Sequence, residues 1–286
     1  MAGKFARSWE LLKASVAVLR SDKSLLMFPL LSGISTIIVA ATFLIPIGFD
    51  FVDGASIQAY GESHHLPARY YVLMFLFYLV QYTVIIFFNT ALASAAMQRL
   101  RGETVTVAES IAVAKSRFPT ILGYAVISAT VGMVLRALQE RLGFIGRIVV
   151  GLIGLAWTVA TFLVVPVLAN EDVGPLEAVQ RSVDMLKRTW GENLIGNVGL
   201  GAAFGLITFA MMLVSVLLVV AAAAAHSVAL LVSVIAIVLV GLILLSMIQA
   251  SLQGIYAVAL YRYVDEGEAG AGFDQAMLEQ AFRQRR

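Results

Sequence analysis

Six long apolar runs, at residues 25–49, 70–97, 119–138, 148–169, 194–225 and 228–261, limit what this chain can become more than any other feature. Each supplies the roughly 20 residues that a hydrocarbon layer about 30 Å thick requires at about 1.5 Å rise per residue. Lipid offers no water to unpaired backbone groups, and runs this long and uniform are helices rather than barrel strands. Composition agrees: of 286 residues, 60% are hydrophobic and 13% charged, against roughly 45–50% and about 25% in soluble domains. The expected class is all-α, a polytopic membrane helical bundle of about six transmembrane helices in one membrane domain over residues 1–268. The first run follows a charged segment of 24 residues. It also exceeds the usual apolar core of a signal peptide, so it is expected to be retained as a span.

Lys and Arg set the orientation, because short cytoplasmic loops carry the excess of positive charge. With the N-terminus inside, 16 of the 20 basic residues fall on inner segments, and the outer segments hold only Arg69, Arg136, Arg141 and Arg147. Both termini are therefore expected on the cytoplasmic side of a plasma or inner membrane.

Three of the spans are preceded by a short amphipathic segment. Phe5, Trp9, Leu12, Val16 and Leu19 form the first apolar stripe, and Val107, Ile111, Ala114 and Phe118 the second, opened by a Thr106–Glu109 capping box. Leu176, Val179, Val183, Leu186 and Trp190 form the third, with Gly174-Pro175 at its start. Such helices lie in the membrane interface, with Trp9, Phe118 and Trp190 as anchors at headgroup depth. Each return span ends near acidic and glycine residues, which suggests a threefold repeat of interfacial helix plus helical hairpin, in units of about 1–102, 103–174 and 175–268. The bland alternative is that any bundle with its N-terminus inside has basic, amphipathic inner connections. Residues 269–286 read as a cytoplasmic tail with a short amphipathic helix.

Three strings then carry a resemblance: SWELLKASVAVLRSDKSLLMFPLLSG at 8–33, FFNTALASAAMQRLRGETVTVAES at 87–110, and VVPVLANEDVGPLEAVQRSVDMLKRTWGENLIGNVG at 164–199. They resemble an uncharacterised bacterial and archaeal multi-pass membrane family, a domain of unknown function, from about Ser8 to Gly205. The third string is also distantly similar to the membrane domain of some glycerophosphodiester phosphodiesterases, where a Pro-Val pair ends a span before an acidic-Gly-Pro turn and a basic-aromatic helix. Neither resemblance implies an activity for this chain.

Few residues carry chemistry. There is no cysteine and no nucleophile, nucleotide or zinc-protease motif, so no enzyme activity, cofactor or nucleic-acid partner is expected. Glu62, His64 and His65 read as a solvated loop rather than a metal site, since adjacent histidines point apart and no fourth ligand is evident. Arg136, Arg141 and Arg147 read either as an anion-attracting vestibule or, for Arg136, as a snorkelling side chain paired with Glu140. Gln81, Asn89, Asn193, Asn197, Gln249, Gln253 and Tyr256 lie within spans as interhelical hydrogen-bonding groups or the lining of a pathway. Gly196, Gly199, Gly201 and Gly205, the last two a GxxxG pair, offer a close-packing face to a neighbour in the same chain or another subunit. Glu171 and Asp172 read as an interfacial turn and helix cap.

The sequence leaves two main readings of function. One is a channel or transporter for a small solute or anion. The other is a non-transporting scaffold, assembly partner or lipid-organising module. In either case the expected partners are membrane lipids, with a second copy of the chain or another membrane protein. A lipid-acting enzyme is the third and weakest reading.

Overall fold

The computed structural model describes residues 13–52, 68–188, 193–224 and 227–267, with side chains withheld at 50–52, 68, 188 and 193–203. All regular structure among them is helical, and six helices are long and apolar enough to cross a membrane. In chain order, α1 includes residues 13–21, and a 3-10 turn (Lys23–Leu26) leads into α2 (Met27–Val52). Then come α3 (Ala68–Leu100), α4 (Val107–Ser116) and α5 (Phe118–Arg141). They are followed by α6 (Phe144–Ala160), α7 (Val164–Asn170), α8 (Pro175–Arg188), α9 (Asn193–Ala224) and α10 (Val228–Glu266). In chain order a short helix, α1, α4 or α8, stands before each of the long helices α2, α5 and α9. Contacts divide the chain into a central unit, 27–95 with 105–184, and a terminal unit, 1–26 with 96–104 and 185–286.

Local chemistry places the boundaries. At α4 the Thr106 hydroxyl accepts the Glu109 N–H at 3.2 Å while the Glu109 carboxylate accepts the Thr106 N–H at 2.7 Å, the anticipated capping box. The bond from the Thr106 amide, with the Thr106 hydroxyl beside the carboxyl, holds the exposed Glu109 group below its ordinary value. Pro175 opens α8, where its missing N–H costs nothing. The end of α3 is a Schellman motif: Glu103 N–H donates to the Gln98 carbonyl and Gly102 N–H to the Arg99 carbonyl, with Gly102 at φ 81°. Gly267, at φ 72°, closes α10 in the same left-handed conformation.

The fourth span is the exception to the reading of each run as one helix. It breaks at residues 161–163, between α6 and α7. Pro166 explains the break, since its ring has no N–H to donate and crowds the carbonyl four residues back. Ser182 of α8 repairs it. Its hydroxyl donates to the Ala160 carbonyl at 2.7 Å and accepts the Leu163 N–H at 3.1 Å, while the residue itself is fully buried.

The face that the amphipathic helices bury in protein is not centred on their apolar stripes. On α8 the buried residues are Ala178, Ser182, Met185 and Leu186, whereas Leu176 is exposed and Val179 and Val183 are half-buried. On α4 they are Ser110 and Ala114, with Val107 and Ile111 half-buried and the anchor Phe118 exposed, its ring 6.5 Å from Phe87. The reason is the solvent. Beside lipid an apolar stripe gains little from burial in protein, and small residues let a helix approach its neighbour closely. The three helices share one register: Ser15, Ser110 and Ser182 are each fully buried, and each is followed five residues later by an exposed base, Arg20, Lys115 or Lys187. Trp9, Trp190 and the tail lie outside the described residues.

In the terminal unit, Arg262 of α10 is buried and donates to the Leu100 carbonyl, the C-terminal end of α3, and to Glu266 at 2.7 Å. Glu266 also accepts from Arg101. The Glu266 carboxylate is the main reason the Arg101 guanidinium holds its proton more tightly than usual. Nearby, Asp22 accepts the Ser24 N–H at 2.9 Å and pairs with Arg99 at 2.5 Å. Burial pushes the Asp22 carboxyl up, but Ser24 and Arg99 outweigh it and hold it below its ordinary value.

Ser182→Ala is expected to lower stability by about 1–3 kcal/mol, because it strands two buried backbone groups. Exposed Ser116→Ala should stay within about 0.5 kcal/mol. Unfolding of both variants in detergent would decide, and equal midpoints would mean that the break finds other partners. Asp22 gives a pH test. A depressed carboxyl stabilises above its unfolded value of about 3.9 and loses that contribution as pH falls through the folded value. Thermal midpoints of wild type and Asp22→Asn should therefore differ at neutral pH and converge at low pH. A gap independent of pH would refute the ion pair.

Candidate functional site

Every fourth residue of α5 from 124 to 140 is polar or glycine: Tyr124, Ser128, Gly132, Arg136 and Glu140. At about 3.6 residues per turn these form one slowly drifting stripe on a helix otherwise suited to lipid. Tyr124 and Ser128 are buried, and the hydroxyls of Thr161 and Ser128 lie within hydrogen-bonding reach of the Tyr124 phenol. Thr161 belongs to the break in the fourth span. Toward the N-terminal end of α5 from Tyr124 the unit is tightly packed, with Ile121, Leu163 and Val164 fully buried.

Tyr78 and Tyr82 of α3 meet the C-terminal part of this stripe. A Cβ on Gly132 would lie 3.4 Å from the Tyr82 hydroxyl, so glycine leaves the phenol its room. Together Tyr78, Tyr82, Ala129, Gly132, Met133 and Arg136 line a cavity of about 210 Å³. Arg136 stands at its mouth, with 55% of its side chain exposed. Its Nε donates to Glu140 at 3.1 Å and one Nη to the Tyr78 oxygen at 2.6 Å. The pairing with Glu140 is the one the four-residue spacing suggests. The tyrosine partners are not visible in a charge pattern, although the α5 stripe itself is. The cavity therefore presents guanidinium and phenol donors, and no carboxylate lines it.

The other arginines of the anticipated vestibule do not join Arg136. Arg141 ends α5, exposed and without a described partner, and Arg147 donates to the Leu142 carbonyl at 3.3 Å; neither lines the cavity. Gln81 ties α3 to α2 by donating to the Thr36 carbonyl at 3.4 Å. Asn89 is half-buried on α3. Gln249 and Gln253 are half-buried and Tyr256 buried on α10, in the terminal unit. Asn193, Asn197, Gly196, Gly199 and Gly201 fall on α9 at positions whose side-chain surroundings lie outside the description, as do Glu62, His64 and His65 altogether.

The glycine face is open on the side of Gly205: a Cβ there would meet nothing within 4 Å among the described residues. The close approach between α9 and α10 is instead at Gly241, where a Cβ would sit 2.6 Å from the Met211 methyl. Glu171 and Asp172 do cap and turn. Glu171 is the C-cap of α7 and pairs with Arg181 at 3.3 Å, and Asp172 pairs with Arg117.

No curated protein and no solved structure matches this chain. A family model does, and its match begins at α3 rather than near Ser8 and extends past α10 rather than ending near Gly205. The chain belongs to the family described as "Family of unknown function (DUF6159)", matched over residues 68–273.

Proposed function

We propose that this protein moves a small anion or anionic solute across the membrane, entering at the Arg136 cavity. The observation that carries the reading is the donor-lined cavity at Arg136 and Gly132; the polar stripe of α5 continues beyond it through Ser128 to Tyr124, beside the break in the fourth span. Polar groups inside a span are costly in lipid and concentrate where a substrate passes. Broken helices serve the same end in transporters, where irregular backbone faces a cavity. The tight packing at Ile121, Leu163 and Val164 corresponds to a path closed on its inner side, with the outer mouth open. The placement of the termini follows the charge distribution, with both ends cytoplasmic. The chain acts without a cofactor and is not an enzyme in this reading.

A scaffold or assembly role is the second reading, and one observation favours it. Gly205 and its apolar neighbours Leu206 and Phe209 stand exposed on α9, a surface that a second membrane protein or another copy could cover. The distant phosphodiesterase resemblance gains no support from residues near the cavity.

Reconstituted in liposomes, wild type should conduct an anion above the level of empty vesicles, and Arg136→Ala should reduce that flux about tenfold or more, the value of a charge-assisted contact. Flux equal to that of empty vesicles for chloride, sulfate, phosphate and small organic anions would remove the transport reading and leave the scaffold. Orientation has its own test, because the chain has no cysteine. Single cysteines at Ala2 or Gln284 should react with an impermeant thiol reagent only after permeabilisation, and one at Ser63 without it. The reverse pattern would invert the topology.

A further inference from the structure

The geometry points to a small apolar monocarboxylate, rather than an inorganic anion, as the occupant of the Arg136 cavity. This rests on the reading of that cavity as an anion site and adds the ligand's chemistry.

Charge comes first. One guanidinium lines the cavity, and its Nε already pairs with Glu140. Arg141 and Arg147 do not line it. Glu140 already offsets part of the Arg136 charge, so each further negative charge on a ligand is less well compensated. A monoanion brings the least of it, and a dianion such as sulfate twice as much.

Shape comes second. Arg136 uses Nε for Glu140 and one Nη for the Tyr78 oxygen, which leaves the other Nη without a protein partner among the described residues. The edge formed by the two Nη groups is a planar fork, and a carboxylate is its geometric complement. Tyr78 accepts from Arg136, so its own O–H is free to donate, and the Tyr82 O–H reaches the Gly132 side of the same cavity. Three donor groups thus converge where a carboxylate's lone pairs can take them. A spherical halide has no planar edge to match the fork.

Volume and wall come third. The cavity measures about 210 Å³, which holds on the order of seven heavy atoms at the roughly 30 Å³ that one water occupies in the liquid. That exceeds a halide and suits acids between butyrate and benzoate. Beyond the donors the wall is the two tyrosine rings, Ala129 and Met133, a surface for hydrocarbon rather than for hydrated ions. The same chemistry is carried by a soluble short acid and by the head of a fatty acid in the bilayer, and the test separates them.

The full-length protein in nanodiscs would be titrated calorimetrically with butyrate, benzoate, hexadecanoate, sulfate, chloride and the neutral alcohol butanol. Butyrate and benzoate should bind, and sulfate, chloride and butanol should not at matched ionic strength. Arg136→Lys keeps the charge but removes the fork, and should weaken the acids about tenfold or more. Gly132→Leu fills the cavity and should do the same. Gly151→Leu, at a glycine whose Cβ would meet nothing within 4 Å, should bind as wild type and controls for folding. Binding of hexadecanoate alone supports the carboxylate chemistry and assigns its source to the bilayer. Sulfate or chloride binding as well as butyrate, or acid binding unchanged in Arg136→Lys and Gly132→Leu, overturns the inference. Acid binding without flux keeps the site and removes transport, whereas chloride flux without acid binding keeps transport and removes the carboxylate.

Discussion

Every feature of this protein that is not simply a lipid-facing helix answers to one constraint: backbone N–H and C=O groups away from water must be paired. The long spans satisfy it internally. Where a span cannot, another part of the chain does so. Ser182 supplies both a donor and an acceptor to the break before Pro166, and Arg262 supplies a charged donor to the last carbonyl of α3. Gly102 turns the chain through a left-handed residue so that the α3 carbonyls meet returning amides. The short amphipathic helix α8 is thereby a structural partner of the fourth span as well as a surface element.

Much of the fold was legible in the sequence because lipid makes the rule for spans nearly one-dimensional. Apolar length alone located six spans, and turn chemistry placed the α4 capping box and the Pro175 start of α8. The rule says less about which face of a helix packs. Beside lipid an apolar stripe at helical spacing does not mark the face that meets protein, and Leu176 stays exposed while Ser182 is buried. Small residues mark a close approach only when another helix arrives, and among the described residues of α9 and α10 that approach is at Gly241. The break in the fourth span needed both Pro166 and a remote hydroxyl, and the second lies 16 residues further on.

The candidate site was half legible. Arg136 stood out as a charge against the orientation pattern, and its spacing to Glu140 implied their pairing. The grouping with Arg141 and Arg147 followed nearness in sequence, which around a helix end scatters side chains over different directions. Tyr78 and Tyr82 lie in another span at a register that sequence does not set. The four-residue stripe from Tyr124 to Glu140 was open to inspection, yet glycine and serine in it look like ordinary packing residues until the tyrosines are placed beside them.

The Ser182 repair also bears on how the protein is made. Ribosomes deliver the fourth span before α8, so for the time taken to synthesise some 20 further residues, the carbonyl of Ala160 and the amide of Leu163 have no partner in the nascent chain. Such a span is incomplete by itself, and its backbone pairing is finished only when the later, amphipathic α8 is made. The amphipathic helix is then a delayed closure on the membrane step, tying the maturation of the central unit to translation of α8.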